Sequence, residues 1–402
     1  MAFTIQPAQG PEFVNRQQEL NDILVTLRDM NSSIGFALYG KRRVGKTSLL
    51  KETKRLLAKD GSIVPIYFCV WDLVEKNIRE FAKELGAAIV DAYKPHLPLD
   101  YRAKELMQLP LNFLKKIIAG LKLSVELQDS ISLILSFDKE KRFEPGVLID
   151  EVFNLPERLA QVTKRKSVLL LDEFPDIIEL KVNGKKIGES IIKKIRTIQE
   201  DYKRTSFNIS GSVRKTMEIA VLSSASAFYR QFIVNEIGPL AEKDVKLLMK
   251  KNLDRKNLSE AGLKKLYDFT ERVPFYVQFI GRLLNKYTVK LISAREVNRA
   301  IEEFLEQEGN LVFKEELERL SDKERLIVIT MATRGISSFS EISKAMKGEV
   351  TNLGRFLVYL EEKDIVRKER RGSYVFSDPI FEKWLAQKFY ENHCCCGWWW
   401  FG

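Results

Sequence analysis

From Ser33 onward, short apolar runs alternate with longer stretches in which apolar residues recur at helical spacing. The first run, "SIGFALYG", ends on a glycine-rich turn and is followed directly by a helical pattern. "SIVPIYFCV" (62–70), "SVLLLDEF" (167–174) and "TSFNISGS" (205–212) read as further central strands of a sheet covered on both faces. The alternation predicts an α/β fold, a parallel sheet with helices on both faces, over residues 1–237. Within it, "LKLSVELQDSISLILSFD" (121–138) alternates apolar and polar residues about Gln-Asp-Ser, predicting an inserted hairpin. After "IGPL" (237–240) the strand signals stop, and residues 238–312 show amphipathic helical periodicity, a separate helical domain. Residues 313–390 then give three helical segments and a strand pair turning at Arg371-Gly372, the order of a winged helix, and 391–402 form a biased tail. There is no internal repeat.

The turn after the first strand reads "YGKRRVGKTSLLKE" (39–52) and fits G-x-x-x-x-G-K-[ST], with Gly40, Gly45, Lys46 and Thr47 in register. Glycines let backbone N–H groups curl around phosphate oxygens without Cβ obstruction, and the following helix offers the positive end of its dipole. Arg43, Val44 and Ser48 complete the expected cradle; Lys46 reaches the outer phosphates, and the Thr47 hydroxyl is placed to hold Mg²⁺. This is the P-loop of an NTPase. "VLLLDEF" supplies a second part: Asp172 falls at the carboxyl end of a buried strand, where it can orient Mg²⁺ through water, and Glu173 can polarise an attacking water. "NISGS" (208–212) ends the next strand with the hydroxyls of Ser210 and Ser212, either sensing a γ-phosphate or merely forming a Gly-Ser turn. Arg214 and Arg230 are candidates to stabilise charge on a transferring phosphoryl group, from the same or a neighbouring subunit.

Composition narrows the surroundings of that chemistry. The chain has 402 residues, with 45% hydrophobic and 30% charged residues, which implies two or three globular domains. No apolar run approaches the roughly 18 residues a membrane helix requires, and the N-terminus lacks a secretion signal, so a cytoplasmic protein is expected. Cys69 lies in an apolar run and reads as a buried reduced thiol; Cys394, Cys395 and Cys396 crowd the tail, so there is no disulfide framework. His393 and these three cysteines have the elements of a metal set, but adjacent side chains of an extended chain point apart and structural zinc sites space their cysteines, so no metal is expected there. Three neighbouring tryptophans in the same tail suit a sticky contact with a partner or a lipid surface. A net charge of +11 favours polyanionic partners, although lysine-rich surfaces balanced by many glutamates also mark heat-adapted proteins.

The chain resembles the archaeal ATPase family of P-loop proteins, relatives of the AAA+ and STAND groups. The resemblance rests on "FVNRQQEL" (13–20), "LYGKRRVGKTSLL" (38–50), "VLLLDEFPDI" (168–177), "NISGSVRKTME" (208–218), "FYRQF" (228–232), "IGPLAEKD" (237–244) and "FSDPIFEKWL" (376–385). It implies ATP as the nucleotide, with Val14 and Arg16 near the base and Tyr229 and Arg230 as an arginine-finger pair. It also implies a helical lid followed by a winged helix. Pro274 in "ERVPFYV" (271–277) would contact nucleotide from the lid, although Val273 stands where the family usually has glycine. Some relatives carry a further, nuclease-like domain; the chain ends soon after "FSDPIFEKWLAQKFYEN", so no such activity is expected.

A winged helix reads DNA by laying its third helix in the major groove and its wing on the backbone. Here the third helix offers Thr351, Asn352 and Arg355 and the wing Arg367, Lys368, Arg370 and Arg371, alongside Glu349, Glu361 and Glu362. The leading expectation is a slow Mg²⁺-dependent ATPase switch coupled to a DNA-binding winged helix, in a possible homo-oligomer. The alternatives are a nucleotide-stabilised DNA-binding regulator and a protein-docking scaffold.

Overall fold

A computed structural model describes residues 3–96, 144–212, 217, 228, 231–346 and 349–390. The hairpin expected at 121–138, the residues Arg214, Tyr229 and Arg230, and the tail lie outside the described residues. The chain divides into two compact units: one comprises Pro7–Gly40 and Gly45–Ile237, the other Met1–Gln6, Lys41–Val44 and Gly238–Gly402.

The first unit is built on a five-stranded parallel sheet of β1 (Gly35–Tyr39), β2 (Ile63–Cys69), β3 (Lys166–Asp172), β4 (Thr205–Gly211) and β5 (Phe232–Glu236), in the order β2-β3-β4-β1-β5. Every residue of β3 and β4 is buried, as in strands covered on both faces: β3 through the apolar run Val168–Leu171, β4 with Thr205, Ser206, Asn208 and Ser210 buried as polar groups. The strand order places β4 between the strand that leads into the glycine-rich turn and the strand that ends in Asp172. Close approach of β1 to β4 depends on Gly35, where a Cβ would lie 1.7 Å from the Phe207 carbonyl oxygen. Asn208 ties the centre together: its amide donates to the Leu169 carbonyl at 3.2 Å and its side-chain oxygen accepts from Phe36 N–H at 3.0 Å. Helices α1 (Gln17–Arg28), α2 (Lys46–Leu57), α3 (Ile78–Tyr93), α4 (Pro145–Thr163) and α5 (Gly188–Glu200) belong to this unit. Phe81, Phe153, Phe174, Phe207, Phe228 and Phe232 form a chain of ring contacts through its core.

Two expectations need correction. β5 is a strand that the pattern did not predict; it lies at the sheet's edge beside β1 and exposes Ile233 and Val234. Cys69 is free but only half-buried, because it closes β2 at the sheet's rim; burial still pushes its thiol up to about 12.

The second unit contains helices α6 (Glu242–Asn252), α7 (Glu260–Thr270), α8 (Pro274–Lys286), α9 (Ala294–Glu303) and α10 (Gly309–Glu318). The strand signal does not stop entirely, since Asn257–Leu258 and Leu291–Ile292 pair in parallel before α7 and α9. Then come α11 (Asp322–Arg334), α12 (Phe339–Ala345), α13 (Leu353–Glu362), the antiparallel pair β6 (Val366–Arg370) and β7 (Ser373–Phe376), and α14 (Pro379–Tyr390). Serine caps with a glutamate three residues on start α9, α11 and α12, each satisfying backbone donors that a helix start leaves open. Gly372 takes φ 78° at the β6–β7 turn, where a side chain would be strained.

Candidate nucleotide-phosphate site

In the first unit, β1 stops at Tyr39 and α2 starts at Lys46, and the glycines on either side of the connecting loop have φ 155° (Gly40) and 99° (Gly45), both unfavourable for a residue with a Cβ. Such a loop leading into a helix N-terminus is the kind of element that binds an anion. Lys46 is buried, 5% exposed, and its Nζ donates to the Gly40 carbonyl at 3.0 Å, across the mouth of the loop. Val44 is buried, whereas Thr47 and Ser48 are half-buried. The Ser48 hydroxyl accepts from Ala8 N–H at 3.1 Å, and the Glu52 carboxylate, one turn on, accepts from Gly10 N–H at 2.7 Å. The segment leading to Val14 and Arg16 is thus strapped to α2. Arg16 has φ 60°, stands just before α1, and lies 3.7 Å from Glu19.

Asp172 ends β3 with 1% exposure. Its Oδ2 accepts from Tyr67 OH at 2.9 Å, and its Oδ1 accepts from the Ser210 hydroxyl and, at 3.1 Å, from Glu173 N–H. Ser210 therefore holds the carboxylate from the neighbouring strand, which is more than a turn residue does. Ser212 is buried too, and its hydroxyl has no partner among the described residues. Tyr67 was not singled out from the sequence. The parallel register pairs it with Leu170, two residues before Asp172 on the same face, so a lone phenol in an apolar strand was the available signal. Burial first, and the Asp172 charge second, raise its pKa well above the ordinary phenol value, so it stays a donor. Glu173 leaves the strand with φ 51° and is 9% exposed; Phe174 to Glu179 continue as a 3₁₀ turn. A buried carboxylate and, at the start of α2, a threonine hydroxyl are hard oxygen ligands of the kind that Mg²⁺ takes.

In the second unit, Lys41–Val44 are grouped with the helices that follow residue 238. Arg43, expected to touch nucleotide, directs its guanidinium to Tyr276 and Asp378, each at 2.6 Å. Burial acts to lower its pKa, but Tyr276, Asp378 and Glu316 outweigh this and raise it. Pro274 is the first residue of α8, after Val273 as cap. Thr351, Asn352, Arg355, Arg367, Lys368, Arg370 and Arg371 are exposed, and Arg355 stacks over the Tyr359 ring at 5.3 Å. Among the described residues no helix is long and apolar enough to cross a membrane.

Comparison with known proteins places this geometry. The fold matches a Walker-type ATPase of Pyrococcus abyssi with a TM-score of 0.64 at 19% identity, covering 96% of this chain and 99% of that one. It also matches the ORC2 protein of Aeropyrum pernix solved as ADPNP–ADP complexes (TM-score 0.55, 13% identity, 97% of both chains). The ORC1 protein of the same organism, solved in complex with DNA, matches with a TM-score of 0.51 at 12% identity, covering 97% of this chain and 96% of that one. The architecture is therefore that of the P-loop NTPases. An uncharacterized ATP-binding protein of Methanocaldococcus jannaschii is 23% identical over 185 residues, 40% of this chain and 47% of that protein, so the chain spans about half the length of this curated relative. Residues 310–385 match a domain of unknown function. Residues 13–279 match the ATPase domain found predominantly in Archaea, and the chain belongs to that family.

Proposed function

We propose that the protein is an ATP-driven switch: it binds ATP with Mg²⁺, hydrolyses it slowly, and couples the two nucleotide states to a winged-helix module, within residues 313–390, that binds DNA. The observation that carries the reading is the buried Asp172, held by three neutral donors at the end of β3, with one strand between β3 and the strand feeding the glycine-rich loop. The family supports ATP as the ligand. In this reading the loop amides from Gly40 to Thr47 cradle the phosphates, and Lys46 turns its ammonium from the Gly40 carbonyl to the outer phosphate oxygens. Bound Mg²⁺ would neutralise phosphate charge, with Thr47 and, through water, Asp172 as its holders. Tyr67 and Ser210 keep the Asp172 carboxylate in place, Ser210 passing any shift of β4 to it, and Glu173 accepts a hydrogen bond from the attacking water and orients it. Val14 and Arg16 serve the nucleoside end, and Arg230 serves the transferring phosphoryl group.

DNA binding is supported by the exposed cations of α13 and β6, which suit phosphates, and by an ORC1 relative of like fold that was solved on DNA. The test is ATP hydrolysis measured with and without duplex DNA over a range of protein concentrations. Lys46→Ala should abolish nucleotide binding; Glu173→Gln should bind ATP normally and hydrolyse about 100-fold more slowly. Equal turnover by Glu173→Gln removes the assigned base. Unchanged DNA affinity and salt slope in Arg370→Ala/Arg371→Ala remove the wing from the DNA surface and favour a protein-docking module.

A further inference from the structure

All three basic residues inside the glycine-rich loop are engaged by acids of the second unit. Lys41 lies 3.9 Å from Glu271, and Arg42 lies 3.1 Å from Glu316 and 3.5 Å from Asp364. Arg43 is held most completely. It donates to Tyr276 OH and to Asp378 Oδ2, each at 2.6 Å, with Glu316 at 3.9 Å. The rings of Phe275, Tyr276 and Phe313 stand 5.3, 5.7 and 5.3 Å from its Cζ. Tyr276 also donates to the Asp378 oxygen that accepts from Arg43, closing a triangle, and the second Asp378 oxygen accepts from Ile380 N–H at 3.0 Å at the start of α14. The socket is thus assembled from α8, α10 and the start of α14, all packed elements with rigid aromatic walls.

The backbone at the mouth of this socket is unusual. Arg43 has φ 65°, in the left-handed region that is unfavourable for a residue with a Cβ. Such a conformation persists only where its surroundings over-determine it, and the guanidinium clamp does that. The loop between Gly40 and Gly45 has a permissive glycine at each end, so an anchor in its middle is what limits the directions its amides can take. Amides fixed in advance bind an anion without the cost of ordering them, and a displacement of about 1 Å forfeits much of that gain.

We propose that Tyr276 and Asp378 are positioning residues for nucleotide binding: by clamping the Arg43 guanidinium they fix the left-handed backbone of the phosphate loop and preorganise its amides. The proposal gives the family-like double arginine a task that is separate from touching nucleotide, and it rests on the phosphate-site reading above. The experiment is calorimetric titration of the full chain with Mg²⁺ and a non-hydrolysable ATP analogue. Asp378→Asn retains the oxygen that caps α14 while removing the charge, and should weaken binding about 10-fold. Tyr276→Phe should weaken it about 3-fold and carries the test should Asp378→Asn fold poorly. Asp378→Glu should recover part of the lost affinity, which a mere packing defect would not. Combining Arg43→Met with Asp378→Asn should cost little beyond the worse single change, because both break one clamp. Equal or tighter binding in Asp378→Asn and Tyr276→Phe, or fully additive losses in the double variant, would overturn the clamp. Failure of the unaltered chain to bind the analogue would instead overturn the phosphate-site reading.

Discussion

Asp172 and Asp378 are both aspartates at the edge of an element, and they are completed in opposite ways. Asp172 accepts from two hydroxyls and an amide, all neutral, so its position is fixed while its charge remains available. Asp378 accepts from a guanidinium and a phenol, so its charge is already spent on the partner that it holds. A buried carboxylate held by neutral donors attracts a cation that arrives later, whereas an ion-paired one is a joint of the structure. The contrast separates the two carboxylates by their surroundings alone, without reference to sequence motif.

The sharpest break of that contrast is Asp172→Asn. Hydrolysis should fall about 100-fold, and Mg²⁺ should no longer strengthen ATP binding, as read by titrating nucleotide with and without the metal. Retained Mg²⁺ dependence would place the metal on other residues. A smaller change sharpens the same side: Tyr67→Phe keeps the charge of Asp172 but removes one of its donors, and should raise the Mg²⁺ concentration for half-maximal analogue binding about 10-fold with little effect on thermal stability. The smallest effect concerns a buried cation at the opposite end of β3 from Asp172. Burial holds the Lys166 ammonium, which donates to the Asp29 carbonyl at 2.7 Å, down to about 8. Between that value and about 10.5, its ordinary value, the unfolded chain binds more protons than the folded one, so this residue makes stability rise with pH across that window. Unfolding free energies from denaturant titrations across it should climb by about 1 kcal/mol per pH unit more in the unaltered chain than in Lys166→Met.

What could be read from the sequence was local. The glycine-rich loop and the Asp172-Glu173 pair announce themselves because their chemistry depends on neighbours within a few residues, and β3 because burial on both faces leaves the apolar run Val168–Leu171 before Asp172. β5 escaped because an edge strand need be apolar on one side only. Tyr67 escaped because its partner is 105 residues away and is set by strand register, and the Arg43 clamp because Tyr276 and Asp378 lie 233 and 335 residues further along the chain. The position of Arg43 in the loop is visible in the sequence, whereas the direction of its side chain is decided by tertiary packing.

The strap from Ala8 to Gly10 across α2 bears on how the protein is dissected. A fragment cut to begin at Phe13, where the family match starts, would strip the Ser48 hydroxyl of the Ala8 amide and leave the Glu52 carboxylate, only 4% exposed, to Arg55 without the Gly10 amide. Its lower solubility and weaker ligand uptake would then reflect the trimming and not the ATPase domain itself.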